Sequence, residues 1–156
     1  MRDVLTRTLD TLFVLSRTAL IVSDPTTFVP AFEHLSRTEL ILDSIPSGRF
    51  PLSPIEEAVD IANYTRCVSG AFYNLASSLY QASKYGNAVP FLVKSCELGG
   101  KALRLPRVQQ RVPNEAREIE WAQLEEQLFR RWELLAVCYS KNGDRKVYLF
   151  PPHFLP

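Results

Sequence analysis

Apolar residues recur every three or four positions along most of this chain, a spacing that places them on one face of an α-helix. The pattern predicts five helices, at about residues 2–22, 25–42, 54–83, 84–103 and 114–142. The sequence therefore predicts an all-α fold.

Local signals mark where several of these helices begin and end. The third helix opens with Ser53, Pro54 and Glu56, which form a capping box with proline at the first helical position. Segments 44–53 and 104–113 contain two prolines each and are predicted to be loops.

The predicted core positions are apolar or small residues at helical spacing. In the first two helices they are Leu5, Leu9, Leu12, Leu15 or Ser16, and Ala19, then Phe28, Phe32, Leu35 and Leu42. In the third helix they are Val59, Ala62, Val68, Phe72, Leu75 and Leu79. In the last helix they are Ile119, Ala122, Leu124, Leu128, Trp132, Leu135 and Tyr139.

The stretch 72–103 resembles a tetratricopeptide (TPR) unit, which follows the pattern W-x2-L-G-x2-Y and then A-x3-F. The residues that match this pattern by size are Phe72, Leu75, Ala76, Leu79, Ala88 and Leu92. Small residues at such positions let two antiparallel helices approach closely. The pattern predicts a helical hairpin with its turn at residues 83–87.

A shift of sixty residues brings similar features of the chain together. Phe72 falls on Trp132, and Val29-Pro30 falls on Val89-Pro90. The TPR period is about 34 residues, so this longer unit is TPR-like. Residues 1–146 are therefore predicted to form antiparallel hairpins stacked in a solenoid, in which each hairpin buries its apolar face on its neighbours.

The C-terminal residues 147–156 depart from the repeat. They read VYLFPPHFLP, and their three prolines exclude a helix. We expect an irregular, proline-rich tail, and a chain that is a fragment of a longer array or carries an altered C-terminus. The alternative is a full-length product whose tail packs over the Trp132 face.

Composition excludes several classes of function. The formal net charge is +1 with both signs mixed, which does not support binding to nucleic acid or to a membrane surface. The apolar run 9–22 is too short and too polar for a membrane span. Neither a nucleic acid nor a membrane is therefore an expected partner.

No constellation in the sequence suggests a reaction centre, a metal site or a cofactor. Cys67, Cys96 and Cys138 lack metal-ligand spacing and are predicted to be buried thiols in a reducing compartment. Cys67 also lies within a predicted helix, which favours a structural role over a nucleophilic one. His34 and His153 have no cysteine motif around them. We expect the chain not to be an enzyme.

Two stretches resemble the non-catalytic helical region of fungal separases. They are residues 63–103, which contain RCVSGAFYNLA and LYQASKYGNAVPFL, and residues 130–146, which contain WELLAVCYSKNGDRK. In that family a helical superstructure precedes a cysteine protease domain that cleaves the cohesin kleisin at anaphase and is inhibited by securin. The resemblance implies a non-catalytic scaffold in the cytoplasm and nucleus, with securin or the protease domain as partner. The catalytic His and Cys of the family have no counterpart here.

A stand-alone TPR-like adaptor that binds a peptide tail is the alternative. It would need a basic clamp on its inner helix faces, and the sequence shows no clear cluster there. For either function the candidate contact residues are Arg66, Tyr64, Tyr73 and Tyr80, because arginine and exposed aromatic residues dominate binding hot spots. Core packing is the other interpretation of the three tyrosines.

Overall fold

Five α-helices make up nearly all of the chain that the structure describes. The computed structural model describes residues 2–22, 29–44, 54–109 and 115–143. The helices are α1 (Arg2–Val22), α2 (Val29–Asp43), α3 (Pro54–Gln81), α4 (Tyr85–Gln109) and α5 (Glu115–Lys141). These described residues contain no strand, so the all-α prediction is confirmed. The predicted start of the second helix at Pro25 and the tail 147–156 lie outside them.

The chain divides into two units, and the first spans residues 1–46. In this unit α1 packs against α2. Its buried positions are Leu5, Leu9, Ser16, Ala31, Leu35, Thr38 and Leu42. Ser16 can be buried at little cost, since its hydroxyl donates a 2.8 Å hydrogen bond to the Leu12 carbonyl of its own helix. Leu15, the alternative core residue at this point, is exposed.

The second unit spans residues 47–156 and is built around α4, which packs against both α3 and α5. Along α3 and α4, Ser69 lies beside Ser95, and Phe72 lies beside Phe91 with ring centroids 6.2 Å apart. Higher residue numbers on α3 thus meet lower numbers on α4, so these two helices are antiparallel. The predicted α3 core is confirmed at Ala62, Val68, Phe72, Leu75 and Leu79.

The α3–α4 hairpin turns at residues 82–84, slightly before the predicted 83–87. Ser83 has a φ of 60°, the left-handed conformation in which helices commonly end. Its amide donates to the Tyr80 carbonyl at 2.9 Å, and the Lys84 amide donates to the Leu79 carbonyl at 2.8 Å. This pair of hydrogen bonds is the Schellman motif.

The sixty-residue spacing recurs in the helix ends and in the buried positions. α3 ends at Gln81 and α5 at Lys141. The left-handed residue Ser83 has its counterpart in Gly143, with a φ of 78°. The four buried residues of α2 also have buried counterparts sixty positions later in α4. These counterparts are Phe91, Ser95, Leu98 and Ala102.

Helix α4 extends beyond its predicted end. The expected loop 104–113 is helical as far as Gln109 and includes Pro106. Proline removes one backbone hydrogen bond and crowds the carbonyl four residues earlier, which is a local penalty. α4 nevertheless continues through Pro106 to Gln109. The loop prediction was wrong for residues 104–109.

The buried row of α5 also differs from the predicted one. Ile119 and Ala122 are exposed, while Trp132 and Tyr139 are only half-buried. The buried row consists of residues spaced four and three apart, namely Leu124, Leu128, Arg131, Leu135 and Cys138. The prediction placed the aromatic residues on the central line of the buried face, whereas they flank a line that contains an arginine.

Candidate functional site

The polar centre of the second unit is a cluster of three buried residues from three helices: Ser69 of α3, Ser95 of α4 and Arg131 of α5. We call it the arginine–serine cluster. It lies next to the apolar core that α4 and α5 share through Ala102 and Leu128. Buried polar groups are costly unless they are hydrogen-bonded, so the bonds within the cluster determine what it can do.

The two serines join α3 and α4 directly. Ser69 Oγ donates to the Ser95 carbonyl at 2.6 Å, and Ser95 Oγ donates to the Ser69 carbonyl at 2.7 Å. The reciprocal arrangement satisfies both buried hydroxyl hydrogens, and the small side chains allow the two backbones to approach closely. The serine pair therefore contributes to the structure without any ligand.

Glycine at position 99 allows similarly close packing between α4 and α5. A Cβ atom added to Gly99 would overlap Leu128 Cδ2 and would lie 3.2 Å from Ser69 Oγ. Because Leu128 is fully buried, it has little room to move away. The absence of a side chain at Gly99 thus helps to bring α5 within reach of the serine pair.

Arg131 extends from α5 to α3. It is only 8% exposed, and its Nη1 donates to Ser69 Oγ at 2.6 Å. Its Cζ lies 5.2 Å from the centroid of the Tyr73 ring, within the range of a cation–π interaction. Burial lowers the pKa of the guanidinium, as does the charge of Arg66, while Cys96 and Tyr73 act in the opposite direction.

A carboxylate partner for this buried charge is absent from the part of the chain described. No aspartate or glutamate there pairs with Arg131 or with Arg66. Arg66, Ser69 and Tyr73 are three and four residues apart, so they share one face of α3. The result is a local concentration of positive charge around Arg131, to which Arg66 contributes.

The remaining donors of Arg131 reach solvent. Its Nη1 is hydrogen-bonded to Ser69. In the described residues, none of the buried side-chain nitrogens without a hydrogen-bond partner belongs to Arg131. A guanidinium carries N–H donors on three nitrogens. The edge of Arg131 away from Ser69 can therefore still bind an acceptor.

The three cysteines occupy different environments. Burial raises the pKa of Cys96 to about 12, although Arg131 acts to lower it. Burial also raises the pKa of Cys138. Both thiols are therefore protonated at neutral pH and are poor nucleophiles. Cys67 is exposed on α3, so the prediction of a buried thiol was wrong at this position.

A second group of aromatic and charged residues lies near the hairpin turn. The rings of Tyr80 and Tyr85 are 5.3 Å apart, and Lys141 Nζ lies 4.9 Å from the centroid of Tyr85. A hydrogen bond with Ser83 lowers the pKa of Tyr85, and the charge of Lys141 lowers it further. These contacts link the end of α5 to the start of α4.

The structure groups the predicted contact residues unevenly. It places Arg66 and Tyr73 around Arg131, whereas Tyr80 lies beside Lys141. Tyr64 is half-buried elsewhere on α3. Sequence reasoning missed Arg131, although its spacing from the buried leucines of α5 places it within their row.

The remaining candidates for a chemical role are the histidines and possible metal ligands. Across the described ranges, no set of three His, Cys, Asp or Glu side chains is placed to hold a metal ion. His34 is half-buried on α2 and has a buried Nδ1 without a hydrogen-bond partner there. Within the described helices, none is both long and apolar enough to cross a membrane.

Comparison with known proteins gave no match, whether to protein-family models, to curated proteins or to solved structures.

Proposed function

We propose that this chain is a non-catalytic helical scaffold segment of a separase-like protein, acting in sister-chromatid separation through protein–protein interaction. The observation that carries the proposal is the recurrence of helix ends, left-handed terminating residues and buried positions at a spacing of sixty residues. Repeated helical units that stack on one another are typical of scaffolds that bind proteins. The likeness of residues 63–103 and 130–146 to fungal separases supplies the identity of the proposed parent protein.

The packing of the second unit supports a TPR-like arrangement. α3 and α4 form an antiparallel hairpin, and α5 packs on α4 while its Arg131 reaches back to Ser69 of α3. In a solenoid of hairpins, each repeat contacts only its neighbours, so a helix that follows a hairpin packs against it. We propose that α5 is such a first helix and that the array works in the cytoplasm and nucleus.

The scaffold can be tested with the full 156-residue chain immobilised on a resin. Securin and the separase protease domain from the same organism are applied separately. We expect one of them to be retained, and denatured chain on the same resin is the control. Retention of neither partner would contradict the separase assignment.

A stand-alone TPR-like adaptor is the second candidate, and one observation favours it. Arg66 and Arg131 provide a basic pair between α3 and α5, of the kind that a peptide clamp needs. If the chain binds a generic C-terminal peptide but neither securin nor the protease domain, the adaptor is the better description.

A further inference from the structure

The most unusual electrostatic feature of the described chain is a guanidinium that is more than nine-tenths buried and lacks an acidic partner. Buried charges are normally paired, because removing an ion from water costs much more than one neutral hydrogen bond returns. Arg131 has a serine hydroxyl at 2.6 Å and an aromatic ring as its protein partners. Neither carries the negative charge that would offset this cost.

One edge of the guanidinium is not used by its contact with Ser69. The Nη1 donor faces Ser69, so the free edge of the guanidinium carries Nε and Nη2. Parallel N–H groups on such an edge match the two oxygens of a carboxylate. Arg66 lies on the same face of α3 as Ser69 and Tyr73 and is half-buried, and its charge acts on Arg131, so it adds a second positive charge nearby.

We propose that Arg131, assisted by Arg66, binds the carboxylate of an aspartate or glutamate in an acidic segment of a protein partner. The inference rests on the protein-binding role proposed above. The formal net charge is only +1, with both signs mixed, which does not favour a polyanion such as nucleic acid as the ligand. The complementary ligand is one acidic side chain on a peptide. Because Ser69 and Tyr73 already hold the guanidinium in place, little side-chain freedom is lost on binding.

The binding test uses the full chain and a phage-displayed library of random nine-residue peptides. We expect the selected peptides to share an acidic residue at one position. A synthetic copy with Glu→Gln or Asp→Asn at that position should bind at least about tenfold more weakly, as expected for loss of a charge-assisted bidentate contact. The proposal is overturned if no peptides are enriched, or if those selected share no acidic residue.

Substitutions of single arginines test whether the acidic peptide binds at Arg131. Arg131→Met should weaken binding of the acidic peptide by about tenfold or more, and Arg66→Gln by a smaller factor. Arg130→Met is the matched control, because Arg130 is the neighbouring arginine but is exposed and already paired with Glu126 at 2.7 Å. This control should change affinity less than about twofold. Equal effects of Arg131→Met and Arg130→Met would overturn the proposal.

Thermal unfolding distinguishes a binding residue from a structural one. Arg131→Met replaces a buried charge that has no acidic partner with an apolar side chain of similar length. The temperature at the unfolding midpoint should therefore be unchanged or higher. A lower midpoint together with unchanged binding of the acidic peptide would show that Arg131 has only a structural role, which would overturn the proposal. Arg66→Gln is the second variant, because a half-buried residue can be changed with less disturbance of folding.

Retention of securin and of the protease domain by the Arg131→Met chain separates the two proposals. If wild type and variant retain a partner equally, the scaffold role stands and the carboxylate site is wrong. If wild type retains neither partner but acidic peptides still depend on Arg131, the site stands and the separase assignment is wrong.

Discussion

Replacement of Gly99 by alanine tests how closely α4 and α5 approach. In an ordinary helix interior, alanine is about 1 kcal/mol more favourable than glycine. At Gly99 the added methyl group would overlap the buried side chain of Leu128 and crowd Ser69 Oγ. Overpacking a well-packed core typically costs about 1–3 kcal/mol. The net expectation is a loss of about 1 kcal/mol in the free energy of unfolding.

Gly70 provides a matched control in the same unit. It lies within α3, and a Cβ atom added there would meet no atom within 4 Å. Gly70→Ala should therefore gain most of the helix-propensity difference, about 0.5–1 kcal/mol. The two substitutions are chemically identical, so the difference between them, about 2 kcal/mol, isolates the packing of α4 against α5.

Urea unfolding followed by circular dichroism at 222 nm measures both values. Equal denaturant slopes for the two variants would show that their midpoints can be compared directly. If Gly99→Ala is as stabilising as Gly70→Ala, then α5 does not lie as close to α4 as the structure places it. That result would also contradict the arginine–serine cluster, because Arg131 reaches Ser69 from α5.

Two further predictions concern the hairpin turn and the thiols. Ser83→Gly should stabilise the chain by about 1 kcal/mol, because glycine removes the steric penalty of the left-handed conformation at this position. Ser78→Gly, within α3, should instead destabilise the chain by about 0.5 kcal/mol. Urea unfolding midpoints measure both effects, and equal effects would contradict the left-handed φ of Ser83. Cys67 is exposed, whereas Cys96 and Cys138 are buried and have raised pKa values. In the folded protein near pH 8, a chromogenic disulfide reagent should therefore react rapidly with one thiol only, and Cys67→Ser should abolish this rapid phase. Rapid labelling of a second thiol would contradict the packing of α4 and α5.

Helix periodicity and end signals were sufficient to predict most of the fold. Five helices occur where the apolar pattern places them, and α3 begins at Pro54 after the predicted capping box. The turn prediction was a few residues late, since Gly86 and Asn87 lie within α4. Gly86 faces Asn142, whose Oδ1 would lie 2.8 Å from an added Cβ. That glycine reflects packing between helices, a tertiary effect that turn propensity cannot reveal.

The sequence was less informative about the site. Periodicity gave the buried face of α3 because every core residue there is apolar or small, but in α5 the buried line passes through Arg131. A charged residue is assigned to solvent by any rule based on residue type. Its burial depends on Ser69 and Tyr73, which lie about sixty residues earlier in the chain. Only the spacing of Arg131 from Leu128 and Leu135 could have signalled that it lies in the core row.

The proposed TPR-like arrangement depends on the contact that Arg131 of α5 makes with Ser69 of α3. A double-mutant cycle with Ser69→Ala and Arg131→Met, measured by urea unfolding, tests it most directly. Hydrogen bonds to charged groups contribute about 1.5–3 kcal/mol, so we predict a coupling energy of at least about 1 kcal/mol between these positions. A coupling below about 0.3 kcal/mol, as found for distant and independent sites, would show that α3 and α5 are not in contact and would contradict the repeated-hairpin account.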